Sequence, residues 1–360
     1  MSARREESRL DIGTLATQAR LSPDAIERFE RGEGGLGIAA LGRLARVLGV
    51  DSAELVHTSA KESAAFVAPQ VLLKQRGSVE LERADLDAMA EGLSRARAFA
   101  ELGMLLGVER LADCFTPKVA PEREAYQEGY RQARKAREFL PERTGPLKSL
   151  ARLIENRFNT LVLTHSFGNR GVLGASCRTG DARLIVVNAQ LQSEAQRRFV
   201  LAHELAHQLL DLGPEAVETD VGELQSRRFW FENSPTEKRV NAFAAMLLAP
   251  DFAVHEKFGP PSSGAIGTVE ARRLVSEAKR HFGLSYSAMT WHLKNLRYFD
   301  ESMVDILLMT AEVTEVMGFE EDTRFDGLQR RVLEAFQREL ISSGRARELL
   351  GYSIEDLLGA

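Results

Sequence analysis

The strongest constraint on the fold is an apolar-periodic run over 193–210, which predicts a helix carrying two histidines one turn apart. Ser193 begins this run with a capping-box pattern, which is typical of a helix N-terminus. Residues four apart on a helix project to nearly the same face, so the imidazoles of His203 and His207 can bind one cation. Glu204 lies beside them, within reach of a water bound to that cation. The sequence therefore predicts a metal site on a capped helix.

We expect the third ligand on a second helix, in which Ser234 is the N-cap and Pro235 the first helical residue. Glu237 and Asn241 are four apart and share a face of this helix, so Glu237 can complete the site while Asn241 hydrogen-bonds a ligand imidazole. Two imidazoles and one carboxylate leave a fourth position open for water, the arrangement of catalytic zinc sites. Glu237 has an alternative role, because three residues after Ser234 it can also serve as a capping-box partner.

The N-terminal segment has the pattern of a small helical domain. Short helices are predicted over 12–19 and 24–31, and residues 38–48 have an apolar stripe at helical spacing. This order of helix, short turn and helix resembles the XRE-type helix-turn-helix family of phage and bacterial repressors over about residues 10–56.

In that family, the helix that begins here at Ser22 would be the recognition helix in the major groove. The resemblance thus implies that Ser22, Arg28 and Arg31 are DNA contacts. The charge balance supports a second interpretation, since residues 1–56 contain eight Arg and nine acidic residues. In that interpretation the segment is a degenerate helix-turn-helix that serves packing or dimerisation.

The centre of the chain is helix-rich, and strands begin to alternate with helices after residue 147. Long helices are predicted over 82–107 and 122–139. A helix over 147–158 is followed by short strands, predicted at 160–163, 171–177 and 183–187. A small sheet is therefore expected before the helix that carries the histidines.

The metal-site region carries a specific family resemblance. The resemblance rests on three segments, residues 185–188, 197–207 and 237–250. They look like the ImmA/IrrE family of zinc metallo-endopeptidases, and the likeness covers about residues 120–300. It implies that His203, His207 and Glu237 bind one zinc ion per chain and that Glu204 is the catalytic base.

The resemblance also implies what the protein acts on. Members of this family resemble regulated proteases that inactivate a helix-turn-helix repressor, which releases stress, defence or mobile-element genes. We therefore expect a zinc endopeptidase whose substrate is an XRE-type repressor encoded nearby. An oxyanion donor is expected from Tyr286, His281 or His292. The alternative is a DNA-binding transcription regulator with a sensory, non-proteolytic peptidase-like domain.

These patterns together predict an α+β, predominantly helical chain. It would combine an all-α helix-turn-helix domain with a zincin-like peptidase domain that contains a small sheet. The expected boundaries are 1–57 for the helix-turn-helix, 58–146 for a helical connector, 147–300 for the peptidase and 301–360 for a helical tail.

Composition narrows the partners and the compartment. The net charge of −5 over 360 residues excludes a strongly basic nucleic-acid coat protein, so DNA binding would need a local patch within residues 1–57. The two cysteines cannot form a disulfide framework, and no apolar stretch approaches the ~18 residues of a membrane span. We expect a cytoplasmic protein without a membrane partner, and a homodimer is an open expectation.

Overall fold

The computed structural model places the chain in two compact units, Met1–Val71 and Leu72–Ala360. It describes residues 5, 10–31, 40, 43–44, 47–48, 81–108, 111–115, 124–169, 171–212, 215–220, 234–261, 266–309, 317–318 and 325–352. The fold is α+β and predominantly helical, as the sequence predicted. Among the described residues, no helix is long and apolar enough to cross a membrane.

The N-terminal unit contains the predicted helix pair, α1 (Ile12–Ala19) and α2 (Pro23–Glu30). Each begins at a residue whose side chain accepts a hydrogen bond from the backbone three residues later, Asp11 for α1 (2.8 Å) and Ser22 for α2 (3.2 Å). Their inward faces form a small apolar core that includes Leu15 and Ile26. The helix predicted over 38–48 lies mostly outside the described residues.

The second unit alternates helices with a single sheet. In chain order its elements are α3 (Arg83–Leu105), α4 (Ala125–Glu138), α5 (Leu150–Phe158), β1 (Leu161–His165), β2 (Gly174–Thr179), β3 (Ala182–Asn188), α6 (Glu194–Leu210), β4 (Glu215–Asp220), α7 (Pro235–Leu248), α8 (Asp251–Phe258), α9 (Thr268–Phe282), α10 (Tyr286–Asn295), α11 (Glu301–Met309), α12 (Gly327–Gln337) and α13 (Ser343–Leu350). Helices α3 to α7 and the first three strands match the segments predicted from the sequence to within a few residues, whereas no bounds were predicted for α8 to α13.

The sheet has the strand order β1-β3-β2-β4. β1 runs parallel to β3, with Leu161 opposite Leu184, whereas β2 is antiparallel to both β3 and β4. Strand β4 was not predicted from the sequence. Its pairing with β2 joins segments on either side of α6, and local patterns do not report such a partnership.

Strand β3 is buried on both faces of the sheet, and every residue from Ala182 to Asn188 is buried. Ile185 and Val187 point toward the large core that contains α6 and α7. Leu184 and Val186 point the other way, toward a second core with residues of α3, α12 and α13. A strand that is covered on both faces has a continuous apolar sequence rather than an alternating one. This explains why all four residues over 184–187 are apolar.

Helix α3 and the C-terminal helices α12 and α13 therefore form a layer on the sheet face opposite α6. Arg331 of α12 ties this layer to its surroundings, because its guanidinium donates to the backbone oxygens of Phe99 (2.6 Å) and Glu155 (2.8 Å). The segments predicted as a connector and a tail thus pack on the sheet of the second unit. The boundaries at 146 and 300 remain predictions.

Helices α4 and α7 cross at very short range at Gly129. A Cβ atom at this position would lie 2.1 Å from the backbone oxygen of Arg239 and 3.0 Å from the backbone nitrogen of Phe243. Only glycine allows two helix backbones to approach this closely. This crossing fixes the position of α7, the helix that carries Glu237.

Candidate metal centre

Helix α6 carries the histidine pair and is buried from Arg198 to its end at Leu210. Its N-cap Ser193 accepts a hydrogen bond from the backbone nitrogen of Gln196 (3.3 Å), at the start the sequence predicted. His203 and Glu204 are 0% exposed and His207 is 3% exposed. Close packing around these side chains holds them in fixed orientations.

The imidazoles of His203 and His207 meet the carboxylate of Glu237, which lies in the first turn of α7. The two Nε2 atoms are 3.1 Å apart. Glu237 places Oε2 at 3.5 Å from Nε2 of His203 and Oε1 at 3.6 Å from Nε2 of His207. Ser234 makes no side-chain cap on α7, so the structure shows Glu237 facing the histidines and does not show a capping box.

The outer ring nitrogen of each histidine is held by a side-chain oxygen. Nδ1 of His203 lies 2.9 Å from Oδ1 of Asn241, and Nδ1 of His207 lies 3.0 Å from Oδ2 of Asp211. Asp211 is in turn held by Arg239 of α7, whose guanidinium donates to Oδ1. Because carboxylate and amide oxygens accept hydrogen bonds, each Nδ1 carries the proton and each Nε2 presents a lone pair to the cluster.

This donor set fits a zinc ion. In a tetrahedral site with bonds of about 2.1 Å, neighbouring donor atoms are about 3.4 Å apart. The Nε2–Nε2 distance of 3.1 Å and the nearest contacts of 3.5 and 3.6 Å to the two carboxylate oxygens of Glu237 lie close to that value. Two unprotonated imidazole nitrogens at this range repel each other, and a cation between them removes the repulsion. Nitrogen and carboxylate ligands are also the types that zinc prefers.

Two residues of strand β2 contact Glu204 and fix the position of its side chain. The hydroxyl of Ser176 donates to its Oε2 and lies 3.0 Å from its backbone oxygen. A Cβ atom at Gly174 would lie 3.1 Å from Oε1 of Glu204 and 2.7 Å from Val200. Burial, and secondarily the negative charge of Glu204, raises the pKa of the neighbouring Cys177 thiol well above its usual range. Glu204 thus occupies a buried, low-dielectric niche that β2 shapes.

The structure places His292, an expected oxyanion donor, away from this cluster. Its Nδ1 meets the hydroxyl of Tyr130 (3.1 Å) and its Nε2 meets the backbone oxygen of Ala249 (2.7 Å). Ala249 caps the far end of α7, about 18 Å along the helix from Glu237 at 1.5 Å per residue. Burial lowers the pKa of His292 to about 4, so the ring is a neutral internal link between helices.

The other two candidate oxyanion donors have their own neighbours. His281 ends α9 against the ring of Phe282, and burial followed by the charge of Lys257 lowers its pKa. Tyr286 begins α10, lies 5.9 Å from the ammonium of Lys279, and has its pKa raised by burial. These contacts do not join either residue to the metal ligands, and their catalytic role stays a prediction.

The three expected DNA contacts lie on α2 or at its ends. Ser22 is engaged as the N-cap. Arg28 lies 3.9 Å from Asp24, and Arg31 lies 4.0 Å from Glu27. Each arginine thus has an acid one turn away, which lowers the positive potential of the exposed face.

Sequence reasoning missed Asp211, Ser176 and Gly174. Asp211 follows His207 by four residues, so helical spacing could have found it. Ser176 and Gly174 lie on a strand, and only the packing of β2 on α6 brings them to Glu204. No local pattern carries that information.

Comparison with known families agrees with this arrangement. Residues 155–293 match the family model of the IrrE N-terminal-like domain, a peptidase family, and residues 2–57 match a helix-turn-helix domain. The first match spans α5 to α10 and contains His203, His207, Glu204 and Glu237. No curated protein sequence matches the chain significantly.

Proposed function

We propose that this chain, an ImmA/IrrE-type protein with an N-terminal helix-turn-helix domain, is a zinc endopeptidase that cleaves a helix-turn-helix repressor. The observation that carries the proposal is the cluster of His203, His207 and Glu237, whose potential ligand atoms all lie within 4.8 Å of one another. We propose one zinc ion per chain. The neighbouring Glu204 supports a catalytic rather than a purely structural site.

When bound, a zinc ion supplies Lewis acidity toward water and the scissile carbonyl. The side chains of the protein do the remaining work. Glu204 accepts a proton from the attacking water and returns it to the leaving amine. The hydroxyl of Ser176 holds the Glu204 carboxylate in position for both transfers. Asn241 and Asp211 fix the ring orientation of the histidines, so the ligand geometry is set before metal arrives.

The substrate assignment is supported by the combination of domains. A helix-turn-helix module in the same chain gives the peptidase a surface of the kind carried by XRE-type repressors. Cleavage of such a repressor, encoded nearby, would derepress stress, defence or mobile-element genes. The N-terminal module then serves as a docking or DNA-targeting element, and dimerisation through it is a further proposal.

Co-expression with an XRE-type repressor encoded beside this chain tests the proposal. Wild type should cleave the repressor, and Glu204→Gln should abolish cleavage while retaining about one zinc per chain. His203→Ala should lose the metal. Glu256→Gln, at an exposed position on α8, is the matched control and should cleave like wild type. Cleavage by Glu204→Gln would falsify the assigned mechanism.

A second function, DNA-binding regulation with a non-proteolytic sensory domain, is favoured by the helix-turn-helix match. It predicts salt-sensitive binding to DNA upstream of the gene, because phosphate contacts release counterions. Gel-shift titration at two ionic strengths measures this. Absence of binding at low salt would remove this function.

A further inference from the structure

A cavity of about 170 Å³ lies between α3 and strand β1, outside the metal cluster. At about 30 Å³ per water molecule, it has the volume of roughly six waters, which is close to the size of an amino acid. Its polar lining consists of Glu91, Arg95, Thr164 and His165, and apolar side chains complete it. Val186 lies in this lining and belongs to the sheet face away from α6, so the cavity is on the opposite side of the sheet from the metal centre.

His165 is oriented by a buried carboxylate. Its Nε2 lies 2.8 Å from Oδ1 of Asp85, which is 1% exposed. Asp85 also accepts hydrogen bonds from the backbone nitrogens of Gly168 (3.3 Å) and Glu82 (3.2 Å). Backbone amides can only donate, so Asp85 is the acceptor in both of those hydrogen bonds, and a proton on Nε2 of His165 completes the contact with Oδ1.

Strand β1 lies at the edge of the sheet, so every second residue directs its backbone groups away from β3. The backbone nitrogen of Val162 points out of the sheet ladder and donates to Oε1 of Glu155 (3.4 Å). Outward-pointing groups alternate along an edge strand, so the N–H of Thr164 faces the same edge as that of Val162. Thr164 and Arg95 both line the cavity, so β1 and α3 each contribute a polar residue to it.

Glu91 and Arg95 lie one turn apart on α3 and are both exposed. Opposite charges at this spacing commonly pair, as Arg83 and Asp87 do on the same helix at 3.8 Å. Within the described part of the chain, neither Glu91 nor Arg95 takes part in an ion pair or a side-chain hydrogen bond. Both charges are therefore available to a ligand.

We propose that this cavity binds a zwitterionic molecule of the size of a free amino acid. Arg95 binds its carboxylate, since the guanidinium is a charged hydrogen-bond donor. Glu91 accepts hydrogen bonds from its ammonium group, on the side of the cavity that His165 also lines. The apolar lining takes its side chain. Such a site is independent of peptide hydrolysis and gives the chain a small-molecule input on the sheet face opposite the metal cluster.

The experiment is a calorimetric titration of the full chain, treated with a chelator to remove zinc, with the free L-amino acids. An amino acid with an apolar side chain should bind, and isovalerate or isoamylamine, which each lack one charge, should bind at least about tenfold more weakly (~1.4 kcal/mol). Arg95→Gln and Glu91→Gln should each weaken amino-acid binding by at least about tenfold. Arg97→Gln, exposed on the same helix but outside the cavity, should bind like wild type.

Three outcomes would overturn the proposal: no amino acid binds at millimolar concentration, binding survives Arg95→Gln, or isovalerate binds as tightly as the amino acid. Removal of zinc matters because amino acids chelate this metal. If binding occurs only in the zinc-loaded protein, the ligand occupies the metal centre and the cavity site is wrong. Failure here leaves the peptidase test with Glu204→Gln unaffected, because the two sites share no residue.

Discussion

Asp211 links the two helices that supply the metal ligands. Its carboxylate accepts a hydrogen bond from His207, near the end of α6, and forms an ion pair with Arg239 of α7. A buried carboxylate on the outer nitrogen of a ligand imidazole fixes its tautomer and strengthens it as a ligand. The residue therefore connects helix packing with metal affinity, although it touches no metal itself.

We expect Asp211→Asn to lower zinc affinity by about 10- to 100-fold, because the amide lacks the charge that holds both His207 and Arg239. Competition with a coloured chelator measures the affinity. Asp305→Asn, at an exposed position on α11, is the matched control and should bind zinc like wild type. Equal affinity in Asp211→Asn would show that ring orientation comes from helix packing alone.

Gly174 leaves room for Glu204. A methyl group at this position would press on Val200 at 2.7 Å and on Glu204 at 3.1 Å. We expect Gly174→Ala to lower the free energy of unfolding by about 1–3 kcal/mol and to reduce peptide hydrolysis, because β2 and α6 must separate. Urea unfolding and a cleavage assay measure the two effects. Gly344→Ala, an exposed helical position with only a 3.8 Å neighbour, should not be destabilised.

At the scale of elements, short-range sequence patterns predicted the helices and the spacing of the metal ligands, but they did not predict pairings between distant segments. The start of α6 at Ser193 and of α7 at Pro235 follow from capping residues, and the His203–His207 spacing is a property of any helix. Strand β4 pairs with β2 across the intervening helix, so its existence depends on tertiary contacts. The meeting of Ser176 with Glu204 depends on the same contacts and left no mark in the local sequence.

His292 joins α10 to the end of α7 in its neutral form, which gives the fold a dependence on pH. Its pKa is about 4 in the fold, because burial disfavours the charged ring, against an ordinary value near 6.5. A depressed histidine pKa contributes stability that is fully present above about pH 6.5 and is lost as the pH falls toward 4. The contribution is up to about 3 kcal/mol.

His292→Gln should therefore be less stable than wild type near neutral pH but lose less stability on acidification from about pH 6.5 to about pH 4. Urea unfolding at a series of pH values compares the two slopes. Parallel slopes would mean that the protonation state of His292 does not change over this range.

At the scale of the whole molecule, the C-terminal helices α12 and α13 cover the sheet face that α6 leaves open. Leu328 and Val332 of α12 belong to the core that covers β3 on the face away from α6, together with Phe99 of α3. This role could not be read from the sequence, because an amphipathic helix shows which face is apolar but not what that face covers.

A chain that ends at residue 324 should lose at least about 5 kcal/mol of stability and with it zinc binding, since several apolar side chains of this core become exposed. A chain that begins at residue 72 keeps the second compact unit whole and should retain zinc. Thermal melting by circular dichroism and metal analysis compare them. Retention of zinc by the C-terminally shortened chain would show that the layer is dispensable.

Strand β3 has a further consequence for how the sheet finds its alignment. On an ordinary half-buried strand, a slip of one residue exposes the apolar side chains to water and is therefore rejected. Here both faces are apolar over 184–187, so such a slip would exchange one buried set for another at little hydrophobic cost.

Polar side chains must therefore determine the register of β3 against its neighbours. The amide of Gln208 donates to the backbone oxygens of Cys177 (2.6 Å) and Leu184 (2.8 Å) on adjacent strands, and Asn188 donates to Val172 (2.6 Å). These hydrogen bonds are possible only in the native register. Gln208 lies on α6, which also carries His203 and His207, so the strand register and the positions of the metal ligands depend on the same helix.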